Sequence, residues 1–138
     1  MKLSAYKPAG KPMSFLDEIL IWLKDFEPFG KPKNEEELVK QIAQFLIARA
    51  KTLGRTDIKV DVISSVARRG KPDLIISDKV GVEVKIIRSV ADRDRLRGQL
   101  ERYRKDFPYI IAICYDKKGI LRKEPLEITD PNVRIIVI

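Results

Sequence analysis

Residues 71–86 read KPDLIISDKVGVEVKI, an apolar run that is interrupted by Asp73, Glu83 and Lys85. Apart from these charges, the stretch is typical of a buried β-hairpin. Burying an unpaired charge costs roughly several kcal/mol, so the two acids and the lysine require a compensating partner. A bound metal ion would be one such partner.

The charged residues of the second strand lie on one face. Side chains alternate across a strand, so Glu83 and Lys85 share a face while the neighbouring valines and Ile86 occupy the other. Two carboxylates beside a lysine suit a hard divalent ion, which prefers oxygen ligands and keeps several waters. Such an ion can polarise a phosphoryl oxygen and produce a nucleophile from water without histidine. Lys85 could orient that water or stabilise the charge that develops on a phosphate.

The register of the hairpin decides whether Asp73 joins this face. A turn of residues 78–80 sets Asp73 opposite Lys85, on the same face, whereas a turn of residues 78–79 sets it opposite Val84, on the other. We predict the first register, or a bulge with the same effect.

Composition limits the chemistry that is available. The chain has 138 residues, enough for one compact domain, and 44% of them are hydrophobic, which excludes wholesale disorder. There is no histidine, and Cys114 is the only cysteine. These counts exclude zinc fingers, Ser-His-Asp triads, Cys/His nucleophile pairs and an intrachain disulfide. Catalysis must therefore use carboxylates, lysine, tyrosine or a hard metal ion, and Cys114, in the run YIIAICY, is predicted to be a small buried hydrophobe.

Charge and targeting signals indicate where the protein acts. The formal net charge of +8 and the pI of about 9.6 favour an anionic partner such as nucleic acid. Neither a signal peptide nor a run of membrane-span length is present, so we expect a soluble cytoplasmic protein. The abundance of Lys, Glu, Arg and Ile is typical of a thermophilic source.

Periodicity predicts the order helix, helix, three strands, helix, strand, strand. This order indicates an α/β fold, a single domain with a central mixed β-sheet flanked by α-helices. The predicted segments are 14–26, 34–54, 58–64, 73–77, 80–87, 90–107, 109–115 and 133–138.

The chain divides at residue 34. Residues 1–33 are predicted to form a basic N-terminal arm followed by an amphipathic helix, and residues 34–138 the main domain. The broad apolar stripe of the Ser14–Phe26 helix either packs on the domain or forms a homodimer interface. The next helix is capped by Asn34, and helical spacing sets Glu35 on the same face as Leu38. The alternative for Glu35 is a charge that only favours the helix macrodipole.

The hairpin motif resembles that of a known superfamily. PD, nine residues, then EVK is similar to the motif of the PD-(D/E)xK nucleases, which include restriction endonucleases, archaeal Holliday junction resolvases and RecB-like exonucleases. The stretch EEELV, with Glu35, resembles the acidic helix of the resolvase-like members. Gln99 and Tyr103 match a Gln and Tyr that RecB-like members carry on the helix after the lysine strand. The resemblance covers roughly residues 34–115 and implies a restriction-endonuclease-like fold.

The resemblance also implies roles for individual residues. The metal ligands would be Asp73, Glu83, the backbone carbonyl of Val84 and, directly or through water, Glu35. Lys85 would serve the nucleophile, and Gln99 would help to fix the site or the substrate. The implied cofactor is Mg²⁺, with Mn²⁺ as a substitute, and the implied activity is hydrolysis of phosphodiester bonds in DNA by metal-activated water.

Several of these residues also have an alternative interpretation without a catalytic role. Gln99 could be an ordinary polar position, Tyr103 could serve core packing, and Glu83 with Lys85 could form an ion pair on an exposed sheet. For the whole chain, the alternative is a non-catalytic nucleic-acid-binding module that retains the nuclease fold.

Basic residues flank the motif on both sides and are predicted to contact the phosphate backbone, which would provide affinity but no sequence information. No recognition helix is visible, so a structure- or end-directed nuclease is expected, and cutting both strands favours a homodimer. The predicted DNA-binding residues are Arg68, Arg69, Lys71, Arg88, Arg93, Arg95 and Arg97.

Overall fold

A five-stranded mixed sheet organises the part of the chain that the structure describes, residues 13–64 and 70–138 of a computed structural model. The strands lie side by side in chain order. The first three are antiparallel, and the third, fourth and fifth are parallel. They are β1 (Val60–Val62), β2 (Leu74–Ile76), β3 (Val80–Ile86), β4 (Tyr109–Tyr115) and β5 (Val133–Val137).

Helices cover both faces of this sheet. One face packs against α1 (Phe15–Leu23) and α2 (Glu35–Thr52), and the other against α3 (Val90–Tyr103) and the single-turn α4 (Ile120–Lys123). The predicted α/β class, mixed sheet and order of elements are confirmed. The short helix α4 is an addition, because no predicted segment lies between residues 115 and 133.

Local signals at the helix starts are also confirmed. The side chain of Ser14 accepts a hydrogen bond from Asp17 N at 3.1 Å, and that of Asn34 accepts one from Glu37 N at 2.8 Å. Each bond satisfies one of the N–H groups that the first helical turn leaves without a helical partner. Asn34 thereby fixes where α2 begins, and Glu35 becomes its first residue.

The apolar stripe of α1 is buried within the chain itself. Its large side chains belong to the same core cluster as those of α2 and the facing side of the sheet. A dimer through the Ser14–Phe26 helix remains a prediction, and the side chains proposed for that contact already have partners in the core. They are Leu16, Ile19, Leu20, Trp22, Leu23 and Phe26.

The turn of the β2–β3 hairpin differs from the prediction. The strands pair so that the turn comprises residues 77–79, and the predicted turn of residues 78–80 is wrong. Ser77 and Asp78 both adopt positive φ, 51° and 58°, as the central residues of a type I′ turn do. The hydroxyl of Ser77 also donates to the carbonyl oxygen of Asp57 at 2.8 Å, which ties the turn to the chain before β1.

That Asp73 shares a face with Glu83 and Lys85 remains a prediction. The β2–β3 ladder ends with Leu74 opposite Val82, so Asp73 lies just before the paired residues. Its carboxylate accepts a hydrogen bond from Val84 N and lines a cavity beside α2. Glu83 and Lys85 lie on the side of the sheet that α3 covers, because side chains repeat with a period of two along β3.

Strand β4 lies inside the sheet and is covered on both faces. Five of its seven residues are buried, as predicted for a central strand covered on both sides. Cys114 is among them, as expected. Burial raises the pKa of its thiol to about 12, with smaller effects from the charges of Asp116, Lys85 and Glu83. No helix within the described residues has the length and apolar composition needed to cross a membrane.

Packing beside the hairpin gives the first prediction. A Cβ atom added at Gly81 would lie 3.1 Å from Pro72 Cγ and 3.3 Å from Phe107 Cδ2. We expect Gly81→Ala to lower the free energy of unfolding by about 1–3 kcal/mol, because the tightly packed neighbours must shift. Urea denaturation measures the change. The control is Gly98→Ala on the exposed side of α3, where the nearest atom is 3.9 Å away and a gain of about 0.5–1 kcal/mol is expected. An unfolding free energy for Gly81→Ala at or above that of the parent would contradict the prediction.

Candidate active site

Strand β3 extends past its antiparallel neighbour. The ladder with β2 covers only residues 80–82, and no strand of the described residues pairs with the same side of residues 83–86. Pro72 contributes to this early end, because it has no N–H group with which to continue the ladder. We call the β2 side of residues 83–86 the open edge of β3.

Two carboxylates from distant parts of the chain bind this open edge. Asp73 Oδ2 accepts a hydrogen bond from Val84 N at 2.8 Å, and Glu35 Oε2 accepts one from Ile86 N at 2.9 Å. Because the N–H and C=O of one strand residue point to the same edge, the carbonyl of Val84 lies there as well. The open edge thus brings together Asp73, Glu35 and the carbonyl of Val84.

Glu83 and Lys85 project from the same stretch of β3 toward α3. Glu83 is fully buried, Asp73 is 2% exposed, and the Lys85 side chain is 12% exposed. The ammonium group of Lys85 lies 3.9 Å from Glu35 Oε1. Glu35 therefore contacts both the edge backbone and the lysine, which goes beyond a macrodipole effect. The burial of Glu83 also removes the alternative of an ion pair on an exposed sheet.

Asp73 lines a cavity, although its solvent exposure is low. The volume of the cavity is about 250 Å³, and Asp73 forms part of its wall between α2 and the end of β1. The remaining lining residues are Glu36, Val39, Lys40, Val62, Ile63 and Ser64.

Gln99 and Tyr103 of α3 differ in their surroundings. Tyr103 is 2% exposed, and its hydroxyl donates to the carbonyl oxygen of Lys71 at 3.2 Å, which holds α3 against the segment that leads to Asp73. Gln99 Oε1 is buried and accepts no hydrogen bond from any residue that the structure describes. Tyr103 thus has a packing and positioning role, whereas the amide oxygen of Gln99 remains available.

The three arginines predicted on α3 have acidic neighbours on the same helix. Arg93 lies 2.9 Å and Arg97 3.8 Å from Asp94 Oδ1, and Arg95 pairs with Asp92. Part of their charge is therefore balanced within α3.

The other predicted phosphate contacts divide into two groups. Lys71 and Arg88 are exposed, and neither forms an ion pair with a residue in the described ranges. Arg68 and Arg69 lie outside the described residues. Lys117 and Lys118, which follow β4, carry no predicted role. The strand order could have identified them, because the carboxyl ends of adjacent parallel strands lie at one edge of a sheet and are common ligand sites.

The acids fit a metal ion that needs few protein ligands. Across residues 13–64 and 70–138, no group of three or more Asp, Glu or Cys side chains is arranged to hold a metal ion. Asp73 binds the N–H of Val84, which follows the buried Glu83 in the chain. Mg²⁺ typically takes one or two carboxylates and keeps several waters, so these two acids with the Val84 carbonyl form a suitable donor set.

Similarity to known proteins does not identify the site. Comparisons with protein-family models, with curated proteins and with solved structures found no match. The chemistry of the site is therefore inferred from its residue types, contacts and burial.

Proposed function

We propose that the chain is a Mg²⁺-dependent nuclease with a restriction-endonuclease-like fold, which hydrolyses phosphodiester bonds in DNA. The observation that carries the proposal is the open edge of β3, where Asp73 and Glu35 accept hydrogen bonds from the backbone and Glu35 Oε1 lies 3.9 Å from Lys85 Nζ. Mn²⁺ is the expected substitute. The net charge of +8 supports a polyanionic substrate.

The acids supply the ion site in this proposal. Asp73 and Glu83 would bind the ion together with the carbonyl of Val84, and Glu35 would bind it directly or through a water. When bound, a divalent ion polarises a phosphoryl oxygen and lowers the pKa of a coordinated water. The burial of both carboxylates strengthens their interaction with a cation, because water screens it less.

Lys85 supplies the positive charge near the reacting phosphate. Its side chain is largely buried, which restricts its motion, and Glu35 holds its ammonium group from one side. A cation that is already in position stabilises negative charge as it develops on the phosphate, without reorganisation during the reaction. Gln99 would contribute its free amide oxygen to the orientation of the water or the substrate.

A second candidate function has its own supporting observations. No three acidic groups of the described chain are arranged around a metal ion, and Asp73 Oδ2 already accepts the N–H of Val84. These facts favour a nucleic-acid-binding module that keeps the fold without cutting.

One experiment separates the two functions. The protein is incubated with linear, circular, single-stranded and branched DNA, with and without Mg²⁺ or Mn²⁺, beside Asp73→Ala and Lys85→Ala variants. Metal-dependent cleavage that is lost in both variants while binding persists supports the nuclease. Binding without cleavage of any substrate supports the module, and full cleavage by both variants would show that the residue assignment is wrong.

The contacts of Glu35 give a prediction with a matched control. Glu35→Gln is expected to reduce the cleavage rate about tenfold, because Lys85 loses its charged neighbour while the amide oxygen can still accept the Ile86 N–H. Glu37→Gln removes the same charge from the same helical turn and is expected to change the rate less than twofold. Initial rates on one DNA substrate measure both. Equal effects of the two variants would indicate that only the helix macrodipole is involved.

A further inference from the structure

A cationic cavity of about 280 Å³ lies at the carboxyl ends of β3 and β4. Its floor includes the buried side chains of Ile86 and Ile87. Four positively charged side chains line it, and all four residues are exposed. They are Lys31, Arg88, Lys117 and Lys118.

These charges converge without acidic partners. They come from three separate segments: the α1–α2 connection, the residues after β3 and the turn after β4. None of the four forms an ion pair with any residue in 13–64 or 70–138, whereas each of the three predicted arginines of α3 does. Gathering like charges in this way opposes compaction unless an anion compensates them.

The backbone positions of three of these residues are fixed by local structure. Lys31 lies between Gly30, which adopts a φ of +71°, and the buried Pro32, whose ring fixes its own φ. The turn that carries the other two lysines is closed by a hydrogen bond from Gly119 N to Asp116 O at 3.2 Å. The cavity is therefore presented by ordered turns.

The acid next to these lysines in the chain is directed elsewhere. The two carboxylate oxygens of Asp116 accept hydrogen bonds from Ile120 N at 2.9 Å and Leu121 N at 2.8 Å. Its charge is committed to the first turn of α4. The lysines of the cavity thus lack the neutralisation that the α3 arginines have.

The cavity adjoins the candidate active site. Ile86 forms part of its wall, and the N–H of the same residue binds Glu35. Arg88 follows Lys85 by three residues in the chain, so the cavity and the lysine lie close together.

We infer that this cavity binds a phosphate group of the nucleic-acid substrate, on a nucleotide near the bond that is cut. The inference rests on the proposed function for the identity of the ligand. The phosphate is either an internal phosphodiester or a terminal monophosphate, since both offer the same oxygens to the four cations. The cavity then fixes the direction in which the strand leaves the active site.

Binding without cleavage tests the cavity directly. The dissociation constant of an internally labelled oligonucleotide is measured by fluorescence anisotropy in EDTA, between about 50 and 200 mM salt. Lys117→Ala with Lys118→Ala is expected to raise the dissociation constant about tenfold and to reduce the salt slope by roughly one to two. The control is Lys24→Ala with Lys51→Ala, two exposed lysines without ion pairs among the described residues, for which a change below threefold is expected. Thermal unfolding of each variant verifies the fold.

The chemistry of the strand end distinguishes the two sources of phosphate. If removal of a terminal phosphate weakens binding to the parent but not to the lysine variant, the cavity takes a terminal monophosphate. If circular DNA is affected by the variant as strongly as linear DNA, it takes an internal phosphodiester. Equal losses in the lysine variant and the control, or no loss in either, would overturn the inference, as would a parent that binds no nucleic acid. Cleavage activity does not enter these readouts, so a parent that binds through the cavity without cutting contradicts only the proposed nuclease.

Discussion

Asp73→Asn is expected to reduce the rate of DNA cleavage by roughly 10³-fold while the protein remains folded. The substitution removes the negative charge that would bind the ion, but the amide oxygen of Asn can still accept the hydrogen bond from Val84 N. Loss of a metal ligand removes several kcal/mol of transition-state stabilisation, and each 1.36 kcal/mol is about tenfold in rate. Single-turnover cleavage of the best substrate from the panel measures the effect.

Thermal unfolding provides a second readout that does not depend on activity. An ion that binds only the folded protein stabilises it by about 1.4 kcal/mol at a concentration ten times its dissociation constant. Mg²⁺ is therefore expected to raise the melting temperature of the parent and to leave that of Asp73→Asn unchanged. Asp78→Asn is the control, because it removes a carboxylate from the exposed turn of the same hairpin and Asn tolerates positive φ. A Mg²⁺ shift that persists in Asp73→Asn would show that this residue does not bind the ion.

Lys85→Met is expected to reduce the cleavage rate by about 10²–10³-fold and to change the affinity for DNA by less than threefold. Met has nearly the length of Lys and fits its largely buried position, so the packing of β3 is retained. The rate falls because the ammonium group that stabilises developing charge on the phosphate is gone. Affinity changes little, since the phosphate backbone is expected to be held by exposed cations elsewhere.

Separate measurements of binding and of rate check this division. Lys105→Met, which removes an exposed charge just beyond α3, is expected to leave both quantities near their parental values. A large loss of affinity in Lys85→Met, with little change in the single-turnover rate, would place Lys85 in substrate binding and contradict the proposed role.

The charged residues of the hairpin differ in their partners and in their burial. Asp73 is compensated in part by the Val84 N–H, and Lys85 by Glu35. Glu83 is the most buried of the three, on a face that also carries Cys114.

Several features of the fold could be predicted from the sequence because they depend on neighbours in the chain. The caps at Ser14 and Asn34 act within three residues, and β4 is recognised by its continuous apolar run. The shared face of Glu83 and Lys85 follows from the period of a strand.

The contacts that form the site could not be predicted from the sequence. Helical spacing selected Glu35 from three successive glutamates, but its bond to Ile86 N spans 51 residues and requires an edge without a β2 partner. That edge exists because β2 ends after three residues while β3 continues for seven, whereas the predicted strands had five and eight residues.

The sequence by itself determined the elements, the faces of the strands and the residue types available for catalysis, because hydrogen bonds in caps and the periods of helices and strands act over a few residues. Only the tertiary structure decided where β2 stops, which carboxylates occupy the open edge of β3 and which cations line the cavity beside it. Those features depend on strand pairing and on the packing of segments that are distant in the chain, where the free energy of many contacts, rather than local preference, selects the arrangement.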